Sequence, residues 1–390
     1  MDLDALRWLL TADGQRLLAR ATDLDPTSLA DAELLRRTAS PAHVAAALTQ
    51  VGLRRRAVVK LGEDAQRMYF TPDGLEQATR APVAAHRAAR LRASGLTSVV
   101  DLGCGIGGDL VAMARAGLTV AGVDLDPVRV EVARANLAAL GLGGAVGVAD
   151  ATTVDVRAFD VAYADPARRS ARGRVFDVDG WTPPWDFVLD LLSRDACVKL
   201  APGLPHDVVP AGVEAEWVSD QREVKEAVLW SGRLATTARR ATVIRDGGLA
   251  TTTEADLPPD GSLPEPDGLP AYLFEPDGAV IRAGLVQAVA ARVGGHLLDP
   301  HIAYVGGPDP VATPFARGYR VVEELPYREK QLRAALRERG VGRLTIKKRG
   351  VSVVPEELRK RLALRGTEEA TLVMTRVTGK GTALLVEPLA

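Results

Sequence analysis

The sequence predicts an α/β protein: a parallel, doubly wound sheet, preceded by helices and followed by a small α+β module. Three observations predict it. From Thr97 to about Asp246, short apolar runs (TSVVDL, LTVAGVDL, GAVGVAD, FDVAYADP, ACVKLAP) recur with helix-length segments between them. Residues 1–95 carry apolar residues at helical spacing and little strand alternation. From about Gly318 the chain returns to a strand–helix–strand rhythm of its own.

Composition bounds the class. The chain has 390 residues, 47% apolar and 25% charged, the balance of a water-soluble globular protein. No apolar run approaches the roughly 18 residues of a membrane-spanning helix. The N-terminus, MDLDALRWLL, lacks the basic-then-apolar pattern of a secretory signal. Two cysteines, Cys104 and Cys197, are too few for a disulfide scaffold or a zinc site, and the His residues are scattered. A cytoplasmic protein without a metal is the expectation, with no membrane partner. The net charge of −1 says nothing about partners.

Four regions follow in order. Residues 1–95 form a helical region in which Ser40-Pro41 and Thr71-Pro72 read as N-caps followed by proline. A short extended piece is expected at Arg67–Phe70. Residues 96–250 are expected to form the parallel sheet; EAEWVSDQREVKEAVLWSG and RRATVIRDGG supply further strands that close it antiparallel. Residues 251–317 are expected to be an acidic linker and connecting segment, because residues 251–278 hold seven Asp/Glu and no Lys or Arg among prolines and glycines. Residues 318–390 form the small basic module.

The chemistry concentrates where strands end. Val99 to Asp109 (VVDLGCGIGGD) runs from a strand through a glycine turn into a helix. Gly103, Gly105 and Gly108 satisfy the dinucleotide pattern G-x-G-x-x-G, which by itself is a weak signal. Charge separates the candidates. A pyrophosphate over this turn would be repelled by Asp101, whereas the ammonium of S-adenosylmethionine would be attracted. Asp124 ends the next strand and suits ribose hydroxyls; Asp150 follows the third and suits an adenine amino group. The cofactor set is therefore Asp101, Gly103, Cys104, Gly105 and Gly107 of the turn, Asp124 with Leu125, and Asp150 with Ala151. Each aspartate alone reads as a helix cap, but the ordered series points to strand-end ligand binding.

The fourth strand ends in Tyr163-Ala164-Asp165-Pro166. Asp165 and the Pro166 carbonyl suit N–H groups of an acceptor amine, holding its lone pair toward the methyl group. Arg168 suits a base face or a phosphate. Arg169 belongs to the same arginine-rich loop. Tyr163, with Trp181 and Trp185, offers an aromatic wall.

VVDLGCGIGG, then VAGVDLDPVRVEVARANLAALG, then ADPARR, resembles the Rossmann-like methyltransferases of class I, and most closely trimethylguanosine synthase. The resemblance covers roughly residues 68–230 and implies a cofactor role for the Thr71-Pro72 helix start. It departs at the fourth motif, where Asp165-Pro166-Ala167-Arg168 lacks a second proline and a following aromatic. The whole chain is similar to bacterial methyltransferases with a THUMP-like C-terminal module, which implies RNA binding. From Pro326 onward fifteen Lys/Arg stand against seven Asp/Glu, a local excess suited to a polyanion. Arg343, Lys347, Lys348 and Arg349 are the expected RNA contacts. The leading expectation is methylation of a base in tRNA or rRNA. A small-molecule or protein methyltransferase, and an RNA-binding protein with a degenerate pocket, are the competing readings.

Overall fold

A computed structural model describes residues 2–168, 181–265 and 268–389. They fall into two units, Met1–Glu214 with Ala227–Thr236, and Ala215–Glu226 with Thr237–Ala390.

The first unit opens with α1 (Leu3–Leu9), α2 (Ala12–Ala21), α3 (Leu29–Arg36), α4 (Pro41–Leu61), α5 (Pro72–Gln77) and α6 (Ala81–Ala93). Asp2, Thr11, Ser28, Ser40 and Thr71 cap the first five, each accepting the backbone N–H three residues on. Leu6, Leu9, Leu18 and Leu35 are buried with Phe70 and Val132 in one core, each contributing roughly 1.5–3 kcal/mol. The extended piece expected at Arg67–Phe70 pairs with no strand among the described residues. Side-chain amides serve its backbone instead: Gln50 bonds both the N–H and the carbonyl of Phe70 (3.0 and 2.6 Å), and Asn136 does the same for Tyr69 (2.6 and 3.1 Å).

The sheet of this unit follows: β1 (Ser98–Leu102), α7 (Gly108–Arg115), β2 (Thr119–Asp124), α8 (Pro127–Ala139), β3 (Ala145–Val148) and β4 (Val161–Ala164). Two-residue strands β5 (Ala167–Arg168) and β6 (Trp181–Thr182) pair with each other, and α9 (Trp185–Leu191) leads to β7 (Ala196–Leu200). After β8 (Glu214–Asp220), β9 (Glu223–Trp230) returns against β7. The order is β3-β2-β1-β4-β7-β9, parallel except for β9. Strand order reverses between β1 and β4, and a crevice opens at their carboxyl ends.

In the second unit β8 pairs in parallel with β10 (Arg239–Arg245), and β10 antiparallel with β11 (Gly248–Thr253). A seven-stranded sheet is built from β12 (Tyr272–Pro276), β13 (His296–Asp299), β14 (Ile302–Gly307), β15 (Ala316–Leu325), β16 (Val341–Lys348), β17 (Glu368–Val377) and β18 (Lys380–Pro388). Its order is β13-β14-β12-β15-β18-β17-β16. Helices α10 (Gly278–Arg282), α11 (Val286–Arg292), α12 (Glu329–Glu338) and α13 (Pro355–Leu362) complete the unit.

This corrects the expected linker at 251–317. Three strands of the seven-stranded sheet come from that segment, and β12 lies between β14 and β15. The acids hid the signal, because Leu273 and Phe274 between them are fully buried. Alternation along β17 sends Leu372 and Met374 to a core with Leu332, Leu336, Leu358 and Leu362, and Val373 to the opposite core with Tyr304 and Tyr319. No described helix is long and apolar enough to cross a membrane.

Candidate cofactor and acceptor site

A cleft of about 840 Å³ opens at the carboxyl ends of β1, β2 and β4. Asp101, Gly103, Cys104, Gly105, Asp124, Leu125, Asp150, Ala151, Tyr163 and Asp165 all line it, as the strand-end reading expects. Between β1 and α7 the backbone of Gly105 takes φ +54° and its N–H reaches Asp124 Oδ2 at 3.0 Å. Gly107, in the left-handed region at φ +80°, passes α8 so closely that a Cβ would meet Ala133 at 3.0 Å. It shapes the turn from outside the cleft.

Other nominated residues land elsewhere. Thr71 caps α5 through Gly74 N–H (3.0 Å) and does not line the cleft, although Gly74 does. Pro166 is buried outside the lining residues. For Arg168 only the β5 backbone is described, and Arg169 lies outside the described residues. Tyr163 is no open stacking wall: its ring is buried, with the Arg87 guanidinium 5.0 Å from its centroid. Its hydroxyl is buried with no described partner.

The floor is a chain of charges. Arg87 pairs with Asp109 Oδ1, and Thr79 donates to Asp109 Oδ2 at 2.8 Å. Lys199 reaches Thr79 Oγ1 at 3.2 Å and Asp165 Oδ2 at 2.5 Å. Asp101 lies within the field of all of these. Burial, then Asp109 and Asp165, raise its carboxyl well above the usual range against the pull of Arg87 and Lys199. Asp101 Oδ1 is buried without a described partner. Burial and the nearby Asp101 and Asp124 push the Cys104 thiol up, so it is no thiolate nucleophile. At the far end Thr152 N–H and hydroxyl both bond Asp150 Oδ1 (2.9 and 2.8 Å) and lower its carboxyl.

The residues present fit S-adenosylmethionine. Asp101 presents an orphaned buried oxygen, and Asp109 and Asp165 oppose its ionisation, so the site lacks a cation placed against that carboxylate. An ammonium group meets both needs and a pyrophosphate meets neither.

Thr79, Arg87, Asp109, Arg129 and Lys199 were not singled out in the sequence. Lys199 carried a readable signal, an ionisable residue inside the apolar run ACVKL. Arg87 carried none, being one of many arginines along helical segments.

Over 336 residues, 83% of this chain and 90% of the relative, the chain is 40% identical to an uncharacterized S-adenosylmethionine-dependent methyltransferase of Mycobacterium tuberculosis, the match being the same in strains CDC 1551 / Oshkosh and H37Rv. The chain belongs to the S-adenosylmethionine-dependent methyltransferases. Within this methyltransferase residues 99–169 match the methyltransferase domain family, 316–388 the THUMP domain-like family and 2–57 a domain of unknown function. Its fold is shared with the crystal structure of a proposed methyltransferase from Porphyromonas gingivalis W83. The TM-score is 0.77 at 24% identity, over 96% of this chain and 98% of that one.

Several basic residues of the C-terminal region already have partners within the chain. Arg343 pairs with Glu369, and Lys347 with Glu275 at 2.6 Å. Arg349 lies 5.3 Å over the Tyr304 ring. Of the four expected RNA contacts, Lys348 stands exposed at the end of β16 with no described ion pair. The excess of charge read from composition was therefore partly internal pairing.

Proposed function

We propose that this methyltransferase acts in the cytoplasm on an amine of a base in structured RNA such as tRNA or rRNA. The observation that carries the reading is Asp165. It directly follows β4 in the cofactor cleft and is anchored through Oδ2 by Lys199, and no described residue bonds its Oδ1. An anchored carboxylate with a spare oxygen suits an N–H of an exocyclic amine, whose lone pair must be turned out of conjugation to react. The THUMP domain-like match supports RNA as the carrier of that amine.

When bound, S-adenosylmethionine supplies a methyl group on a sulfonium sulfur. Asp101 Oδ1 would take its ammonium, Asp124 the ribose hydroxyls and Asp150 the adenine amino group. Asp165 holds the acceptor amine. The acceptor nitrogen would gain the methyl group and give up one proton, for which Asp165 would be the base, and the sulfonium would leave as a neutral thioether.

The test is transfer of tritiated methyl from S-adenosylmethionine to total RNA from cells lacking this protein, with Asp165→Ala as control. Ribonuclease-sensitive counts that vanish in the variant are expected. Cofactor binding without RNA counts would overturn the RNA reading in favour of a small-molecule or protein acceptor.

A further inference from the structure

In the second unit, cations gather at a place that the basic run at 343–349 does not mark. The β8–β9 hairpin turns through Gln221 and Arg222, both left-handed (φ 51° and 69°), at positions where Asn-Gly is favoured. Gln221 N–H donates to the Ile244 carbonyl at 2.9 Å, which sets Arg245 beside the turn. Two residues past Arg222, Val224 packs on Gly278, where an added Cβ would meet its side chain at 2.5 Å. Asp277, which precedes Gly278, donates its N–H to the Phe315 carbonyl at 2.7 Å. Arg317 follows on β15, in register with Glu275. Three arginines from three strand ends thus share one surface.

The neighbouring acids compensate these cations only in part. Glu275 holds Lys347 and accepts from the Tyr319 hydroxyl at 3.3 Å. Asp277 accepts from Ala279 N–H at 2.9 Å, and Asp246 lies 3.3 Å from Arg245. Neither Arg222 nor Arg317 has an ion pair among the described residues; Arg317 leans 5.4 Å over the Tyr319 ring. Burial first, then Arg245 and Arg317, lower the proton affinity of Arg222 against the pull of Tyr319 and Asp277, which places the three guanidinium groups within each other's field. Arg222 and Arg317 are exposed, and Asp246 beside Arg245 and Asp277 near Arg222 offset the repulsion among the three cations only in part.

We infer that Arg222, Arg245 and Arg317 form a phosphate-binding surface that docks the RNA backbone. Guanidinium groups take phosphodiester oxygens in pairs, and three convergent ones fix a strand's position without reading its bases. The inference rests on the RNA reading proposed above. It goes beyond that reading in placing the docking surface outside the basic run 343–349, with two of its three residues outside the THUMP domain-like match.

The experiment is a salt series of RNA affinity, using a fluorescently labelled tRNA pool and the full chain. Each phosphate contact contributes about 0.7–0.9 to the slope of log K against log salt. The triple variant Arg222→Gln, Arg245→Gln, Arg317→Gln is expected to lose about 2–3 from that slope and roughly 10- to 100-fold in affinity at 0.15 M salt. The corresponding triple Lys variant, which keeps the charge, is expected to retain most of the slope, separating charge from misfolding. A wild-type slope in the Gln variant, or a loss found instead in Arg343→Gln with Lys348→Gln, overturns the inference while RNA methylation stands. Wild-type protein with no RNA affinity at about 50 mM salt overturns this inference together with the RNA reading.

Discussion

Replacing Asp101 by Asn tests the cofactor assignment at a buried carboxylate oxygen that no described residue satisfies. Asn keeps the shape and removes the charge. A hydrogen bond to a charged group contributes about 1.5–3 kcal/mol, so affinity for S-adenosylmethionine is expected to fall roughly 10- to 150-fold. Stability is expected to move the other way. Burial raises the Asp101 carboxyl, so its stability contribution is full below the unfolded value of about 3.9 and is lost as pH rises toward the folded value. At pH 8 the Asn variant should therefore unfold at a midpoint no lower than wild type. The same raised carboxyl couples cofactor binding to pH. An ammonium ligand demands the ionised form, so binding releases a proton and wild-type affinity rises with pH until the free-protein carboxyl has titrated. The variant should lack that rise. Calorimetric titration in two buffers of different ionisation enthalpy reads both effects. Equal affinity and an unchanged pH profile in the variant would refute the assignment. A matched loss of stability and affinity would reduce Asp101 to a packing role.

Two further outcomes are expected. Asn136→Ala leaves the Tyr69 N–H, the Tyr69 carbonyl and the Ile106 carbonyl without their buried partner. At about 1–3 kcal/mol each, denaturant titration should show a loss of at least about 3 kcal/mol, and a loss below about 1 kcal/mol would contradict the accounting. Lys199→Met frees Asp165 from its 2.5 Å anchor, and a slackened acceptor site should lower kcat/KM by up to roughly 100-fold. S-adenosylhomocysteine affinity should change much less than kcat/KM, through the lost pull of Lys199 on Asp101 alone; equal losses in both would assign Lys199 to the cofactor instead.

The sequence by itself determined the first sheet and its cofactor turn, because parallel strands buried on both faces are continuous apolar runs and a glycine turn is local chemistry. It determined which aspartates meet, since a doubly wound sheet brings successive strand ends to one edge whatever the details of packing. It also marked Ser40 and Thr71 as caps, a contact spanning three residues. Only the tertiary structure decided that the acid-rich segment from 251 onward supplies three strands of a sheet, because β12 finds its partners in β14 and β15 rather than nearby in sequence. The same holds for the cleft floor. Thr79, Arg87, Asp109, Asp165 and Lys199 come from five places in the chain, and nothing local marks an arginine that will be buried under a tyrosine. Composition likewise showed how many cations the C-terminal region holds but not which were already paired. Ion pairing depends on where strands distant in sequence bring their side chains, and that is fixed only when the sheet closes.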